Sequence, residues 1–115
     1  MSTYGSDLVR AYFEAWNTFD ADQRRSTLET IFAEDASIVD PDWTAEGRDA
    51  IVDAVGAARE KLGDLALGLT RLISAHHDVA LYAWHLGSEA EPVAAGYGVL
   101  TFDKDRITQA RNFFG

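Results

Sequence analysis

The stretch Ile31-Phe32-Ala33-Glu34-Asp35-Ala36-Ser37-Ile38-Val39-Asp40-Pro41 decides how the rest of the chain is read. Its second half, Ala36–Asp40, is a short apolar strand, and Pro41, which has no amide hydrogen to give a ladder, stops it. Shortly after it, Gly47-Arg48-Asp49-Ala50-Ile51 opens a helix. Over Asp49–Leu62 the residues Ile51, Val55, Ala58 and Leu62 share one face, and Gly63 is the natural C-cap.

Upstream, Leu8, Tyr12, Trp16 and Phe19 recur at helical spacing and predict an amphipathic helix over residues 6–19. A second helix is predicted over 21–33, carrying Leu28, Ile31 and Phe32. Ser26 with Glu29 also reads as a capping box, which would start that helix at residue 27 instead. Downstream the pattern changes to strands: Leu65–His76, Val79–Leu86, Val93–Phe102 and Arg106–Phe114, separated by short polar turns. Helices first and a meander of strands last is an α+β order, not the alternating order of a doubly wound sheet.

The 115 residues suit one domain, residues 1–115, with 47% hydrophobic residues to build a core. Ten basic against nineteen acidic residues give a net charge of −9, which repels nucleic acid and anionic membranes. No cysteine is present, so disulfides, thiol catalysis and thiolate metal sites are excluded. Met1–Arg10 lacks the basic start and apolar run of a secretory leader, and no apolar stretch reaches the about 20 residues of a membrane span. A cytoplasmic protein is expected.

Asp40 ends a strand and precedes a proline. It is either a turn residue bonding its own backbone or a carboxylate base at a pocket mouth. Tyr12 and Trp16 lie one helical turn apart on one face; a buried phenol there needs a partner, either a protein group or a ligand oxygen. His76 and His77 are neighbours in a strand and point to opposite faces, so with only His85 besides they make no convincing metal site, and no metal is expected. His76 reaches a pocket if it points inward. Tyr82 and Trp84, at even positions of their strand, mark its interior face. Asn112 sits between Ala110 and Phe114 on one face of the last strand, as a structural amide or a ligand anchor. Gly96 and Gly98 form a G-x-G within a strand, which indicates close approach or bending.

The segments F-A-E-D-A…D-P (residues 32–41) and G-R-D-A-I (residues 47–51), with Y-F-E-A-W-N (residues 12–17) and the closing Ile107–Phe114 strand, resemble the SnoaL-like branch of the NTF2-like superfamily. The resemblance covers nearly the whole chain. It implies a cone-shaped α+β fold in which three N-terminal helices pack on a curved antiparallel sheet and enclose one pocket. It also implies that Asp40 stands where isomerases and polyketide cyclases keep their general base, and Tyr12 where isomerases keep an oxyanion donor; the logic of that pair is a known worked case. Isomerases carry a protonated aspartate on the strand matching Val93–Phe102, where this chain has Gly98, which speaks against a steroid isomerase proper. Dehydratases of the superfamily use Tyr and His, which Tyr12 and His76 could mimic.

The expected protein is therefore a small-molecule pocket protein that needs no cofactor. Asp40, with Tyr12 and His76, removes a proton α to a carbonyl of a small apolar ligand held by Trp16, Phe32, Trp84, Asn112 and Phe114. A homodimer is expected; the alternative is a binding or dimerisation module without catalysis, paired through the outer sheet face, and a second alternative is a dehydratase using Tyr12 and His76.

Overall fold

Leu8, Val9, Tyr12, Phe13, Ala15 and Trp16 are all buried, and they make one side of the first helix, α1 (Tyr4–Trp16). In the computed structural model, which describes residues 4–115, α1 is followed by α2 (Ala21–Ile31), β1 (Phe32–Val39), β2 (Thr44–Glu46), α3 (Arg48–Leu62), β3 (Leu67–His76), β4 (Val79–Gly87), β5 (Pro92–Asp103) and β6 (Arg106–Phe114). Met1–Thr3, part of the leader reading, lie outside the described residues. No helix among the described residues is long and apolar enough to cross a membrane.

The strands form one sheet in the order β2-β1-β6-β5-β4-β3. From β3 to β6 it is an antiparallel meander, but β1 runs parallel to β6, with Ile38 opposite Ala110. The sheet is thus mixed, where wholly antiparallel pairing was expected. The cause is connectivity: α2 and α3 flank β1, and the chain returns to its other side only through the last strand. β1 begins at Phe32, earlier than the predicted Ala36, and the second helix accordingly stops at Ile31. That helix starts at residue 21, because Asp20 is the N-cap and accepts from the Gln23 amide at 2.9 Å. The Ser26–Glu29 pair sits inside the helix and caps nothing.

The first helix ends at Trp16, before Phe19, which is 60% exposed instead of completing the apolar stripe. Polar groups fix this end. Asn17 exchanges two 2.8 Å hydrogen bonds with the backbone of Leu67, tying α1 to the start of β3. Arg59 of α3, only 4% exposed, donates to the carbonyls of Trp16 (2.9 Å), Gly63 (3.2 Å) and Leu65, and its guanidinium lies 4.8 Å over the Phe19 ring. Arg24 donates to the carbonyls of Thr18 (3.0 Å) and Phe19 (3.3 Å). Two buried cations thus satisfy carbonyls that the end of α1 would otherwise leave orphaned. Arg59→Met keeps the apolar stem and removes these donors. It is expected to cost about 3 kcal/mol, since bonds to a charged donor carry ~1.5–3 kcal/mol each and do not add fully. Thermal unfolding should then fall by roughly 10 °C; a shift of only a degree or two would show that water replaces the guanidinium.

Candidate active site

Tyr82 of β4, Gly98 of β5 and Asn112 of β6 stand in one row across three strands. Neighbouring strands lie about 4.8 Å apart, so a side chain crossing the middle strand must find it bare. Gly98 supplies that space: a Cβ there would overlap the ring and hydroxyl of Tyr82. The Tyr82 phenol therefore lies over Gly98 and its O–H donates to Asn112 Oδ1 at 2.5 Å. The next row repeats the arrangement. Trp84 lies over Gly96 and meets Phe114, with ring centroids 6.0 Å apart. The G-x-G of β5 is thus a pair of bare positions across which two aromatic rings form the floor of a cavity.

That cavity measures about 520 Å³, inside the range of about 300–1,000 Å³ usual for small-ligand sites. Tyr12, Phe13 and Trp16 form one wall. Ala54, Ala57 and Ala58 of α3 form another, where small side chains leave room, and Lys61 stands on the same wall. Trp43, 6.4 Å from Trp16 between ring centroids, closes on it from the β1–β2 turn.

Asp40 belongs to that turn. Its backbone N–H closes the turn onto the Trp43 carbonyl at 2.9 Å, while its half-buried side chain lines the cavity. Asn112 joins it to the aromatic network. One N–H of its amide donates to Tyr12 Oη at 2.9 Å and the other reaches Asp40 Oδ1 at 3.4 Å, while its carbonyl accepts from Tyr82. All three polar hydrogen-bonding groups of the amide are used, which fixes its orientation.

Burial sets the electrostatics. Desolvation raises the Asp40 pKa above the ordinary carboxylate value; the Asn112 hydrogen bond opposes this and the Asp42 charge adds to it. Desolvation likewise raises the Tyr12 phenol, opposed chiefly by Asn112, and it raises Tyr82 well above the usual value. Both phenols therefore stay protonated and able to donate. Trp16, 5% exposed, also lines the cavity, and its indole N–H is buried without a hydrogen bond.

The structure brings Asp40, Tyr12, Trp16, Trp84, Asn112 and Phe114 to one cavity. Two expected residues are elsewhere. Phe32 is fully buried behind the site, edge-on to Tyr12 with centroids 6.1 Å apart, and supports the phenol instead of lining the cavity. His76 is exposed at the far end of β3, where its ring hydrogen-bonds His77 at 3.0 Å between the two Nδ1 atoms. β3 carries two register shifts, between Leu69 and Arg71 and between Leu72 and Ser74. Leu69, Leu72 and Ala75 in turn face the helices: the two leucines pack on the core, and an added Cβ on Gly5 of α1 would sit 3.3 Å from that of Ala75. His76 therefore points to the other side, and a Tyr12–His76 dehydratase pair is not assembled. His77, with φ of 51°, has already left the strand, so the two rings touch although strand alternation predicted them on opposite faces. Sequence reasoning passed over Tyr82 and Ala58 as site residues, and Trp43, Lys61, Ala54 and Ala57 altogether.

Three helices on one face of a mixed six-stranded sheet, enclosing a largely apolar cavity floored by aromatic rings, define an NTF2-like α+β fold. Within it, the SnoaL-like domain family matches residues 9–110, and the chain belongs to that family. A crystal structure from Agrobacterium tumefaciens strain C58, of a protein provisionally assigned as an isomerase of the SnoaL-like family, is 28% identical, covers 99% of each chain and superposes with a TM-score of 0.90. A provisionally assigned polyketide cyclase from Sinorhizobium meliloti is 24% identical over 93% of this chain and 94% of its own, with a TM-score of 0.73. A provisionally assigned ketosteroid isomerase from Kribbella flavida is 22% identical over 95% of this chain and 76% of its own, with a TM-score of 0.70. The last two share the fold. No curated protein matches the sequence.

Proposed function

We propose that the cavity abstracts a proton α to the carbonyl of a small, largely apolar ligand and stabilises the enolate, as an isomerase or a cyclase would. One observation carries this reading: a single amide, Asn112, holds the Asp40 carboxylate and the Tyr12 phenol together in a largely apolar pocket. Asp40 Oδ2 makes no hydrogen bond among the described residues and is the oxygen to take the proton. The C–H electron pair becomes the enolate double bond, and the carbonyl π pair moves onto oxygen. Because Asn112 donates to Tyr12 Oη, the Tyr12 O–H is left to donate to that oxygen. Where a β,γ double bond extends the enolate to a dienolate, Asp40 returns its proton to the γ carbon, giving the conjugated isomer; otherwise the enolate carbon attacks a second carbonyl, whose oxygen takes the proton from Asp40 as the ring closes. The raised Asp40 pKa suits the task, since a base nearer the working pH accepts a carbon-bound proton more readily. The SnoaL-like family and the isomerase relative at 28% identity support the same reaction class.

The test is equilibrium binding of a fluorescent naphthol, whose acidic hydroxyl mimics an enolate. Asp40→Asn resembles the protonated base present once the enolate has formed, and it should bind the naphthol as tightly as wild type or tighter. Tyr12→Phe should bind about tenfold more weakly, the loss of one hydrogen bond to a charge-bearing oxygen. Equal binding by all three proteins would leave a pocket that holds ligands without enolate chemistry, and no binding by any of them would sink the enolate reading.

A further inference from the structure

Trp16 leaves a polar hydrogen unspent in the one place where a charge is expected to develop. Its indole N–H is fully buried and makes no hydrogen bond. A buried donor left unpaired carries a desolvation penalty, and native proteins rarely keep one without a reason. Packing alone would be served as well by Phe or Leu, because the ring already fills its place between Tyr12 and Trp43, with centroids 6.4 Å from each. The bonds that hold this residue act on its backbone: Arg59 donates to its carbonyl, and the neighbouring Asn17 clamps β3. These fix the ring's origin and leave the N–H uncommitted.

Tyr12 lies one helical turn before Trp16, and the two rings meet nearly edge to face at 76°. The indole stands close enough to Tyr12 to ease ionisation of its phenol, although the N–H closes no hydrogen bond of ordinary geometry with it. The Tyr12 oxygen already accepts from Asn112 Nδ2 at 2.9 Å. A phenol oxygen can accept twice.

We propose that Trp16 is a positioning residue whose indole N–H closes onto Tyr12 Oη as that oxygen gains negative charge, making it, with Asn112, the second donor behind the oxyanion. In the resting pocket Tyr12 is neutral and a weak acceptor, and the N–H waits. When a ligand oxyanion pulls on the Tyr12 proton, charge passes back to the phenol oxygen and both N–H groups strengthen their hold. The carbon acid and Asp40 exchange the same single proton as before; Trp16 neither gains nor loses one. The arrangement replaces the second side-chain donor that β5 cannot provide, because the Tyr82 ring occupies the space over Gly98. This inference rests on the enolate reading of the pocket.

The experiment compares wild type with Trp16 replaced by β-benzothienylalanine, which keeps the bicyclic shape and exchanges only N–H for sulfur, and with Trp16→Phe as a second variant. Affinity is measured for a series of naphthols of increasing acidity. Wild type should favour the more acidic members, and the benzothienyl protein should lose about tenfold or more in affinity for the most acidic naphthol while binding the least acidic one as wild type does. Trp16→Phe should show the same flattened dependence on acidity. A uniform loss across the series, or no loss, overturns the proposal, because a wall residue would act through shape alone; the enolate reading would then stand without it. If no naphthol binds wild type, the enolate reading fails, and this role for Trp16 fails with it.

Discussion

Replacing Asp40 by Asn is expected to slow α-proton exchange by about 10²–10⁴-fold, the usual contribution of a positioned general base. Exchange of the α-protons of a bicyclic ketone such as 2-tetralone with solvent deuterium reads that step directly, without knowledge of the natural product. Asn keeps the side-chain volume and the turn, whose closing bond uses the backbone N–H of Asp40. The loss should therefore fall on the rate and not on ligand affinity. The pH profile should follow the same group. Only ionised Asp40 can take a proton, so exchange should fall as pH drops through its pKa, at a pH above that expected for a solvated carboxylate, because burial raises it.

The stability of the fold should move in the opposite sense. A carboxyl whose folded pKa is raised binds its proton more tightly in the folded state than in the unfolded one. Its contribution is fully present below the unfolded pKa, about 3.9, and is lost as pH rises through the folded value. At neutral pH the ionised Asp40 therefore works against folding, and Asp40→Asn should unfold at a higher temperature than wild type there. Near pH 3, where both carry a neutral side chain, the difference should vanish. A variant slower in exchange yet more stable at pH 7 would be the signature of a base held at a cost to the fold. An exchange rate within a factor of a few of wild type would remove Asp40 from the mechanism.

Much of this site could be read in the chain because its parts are local. The face shared by Tyr12 and Trp16 needs only helical periodicity, and Asp40 is marked by a strand ending at Pro41. Harder features depend on register between distant segments. The Asn112 amide becomes a hub only because β4, β5 and β6 place Tyr82, Gly98 and Asn112 in one row, and no single segment contains that fact. The parallel pairing of β1 with β6 joins residues such as Ile38 and Ala110 and likewise leaves no local trace. The resemblance alone suggests His76: no local pattern shows which face of its strand the ring takes, and the structure leaves it exposed at the end of β3. β2 spans only Thr44–Glu46, too short to show a period. Phe32 with Leu28 and Ile31 fits a helical period as well as a strand, and only its pairing with Ile107 places it in β1.

Tyr12→Phe is expected to lower the same exchange rate by about 10²–10³-fold, the usual cost of removing one oxyanion donor. The substitution deletes only the hydroxyl, and the ring keeps its contacts with Phe13, Trp16, Phe32 and Tyr82. Asn112 retains its acceptor bond from Tyr82 and its contact with Asp40, so the base should stay in place. The distinguishing result lies in the pH profile. Loss of a donor should depress the rate at every pH and leave the acid-side midpoint near that of wild type, whereas displacement of the base would move the midpoint. Tyr82→Phe offers the contrast. The Tyr82 hydroxyl orients the Asn112 amide, and losing it frees that amide to turn away from both Tyr12 and Asp40. Its effect should therefore combine a smaller loss of rate with a shift of the midpoint. Were Tyr12→Phe to exchange at the wild-type rate, the oxyanion would have to be held by Asn112 alone, and Tyr12 would be the wall residue that its burial by itself suggests.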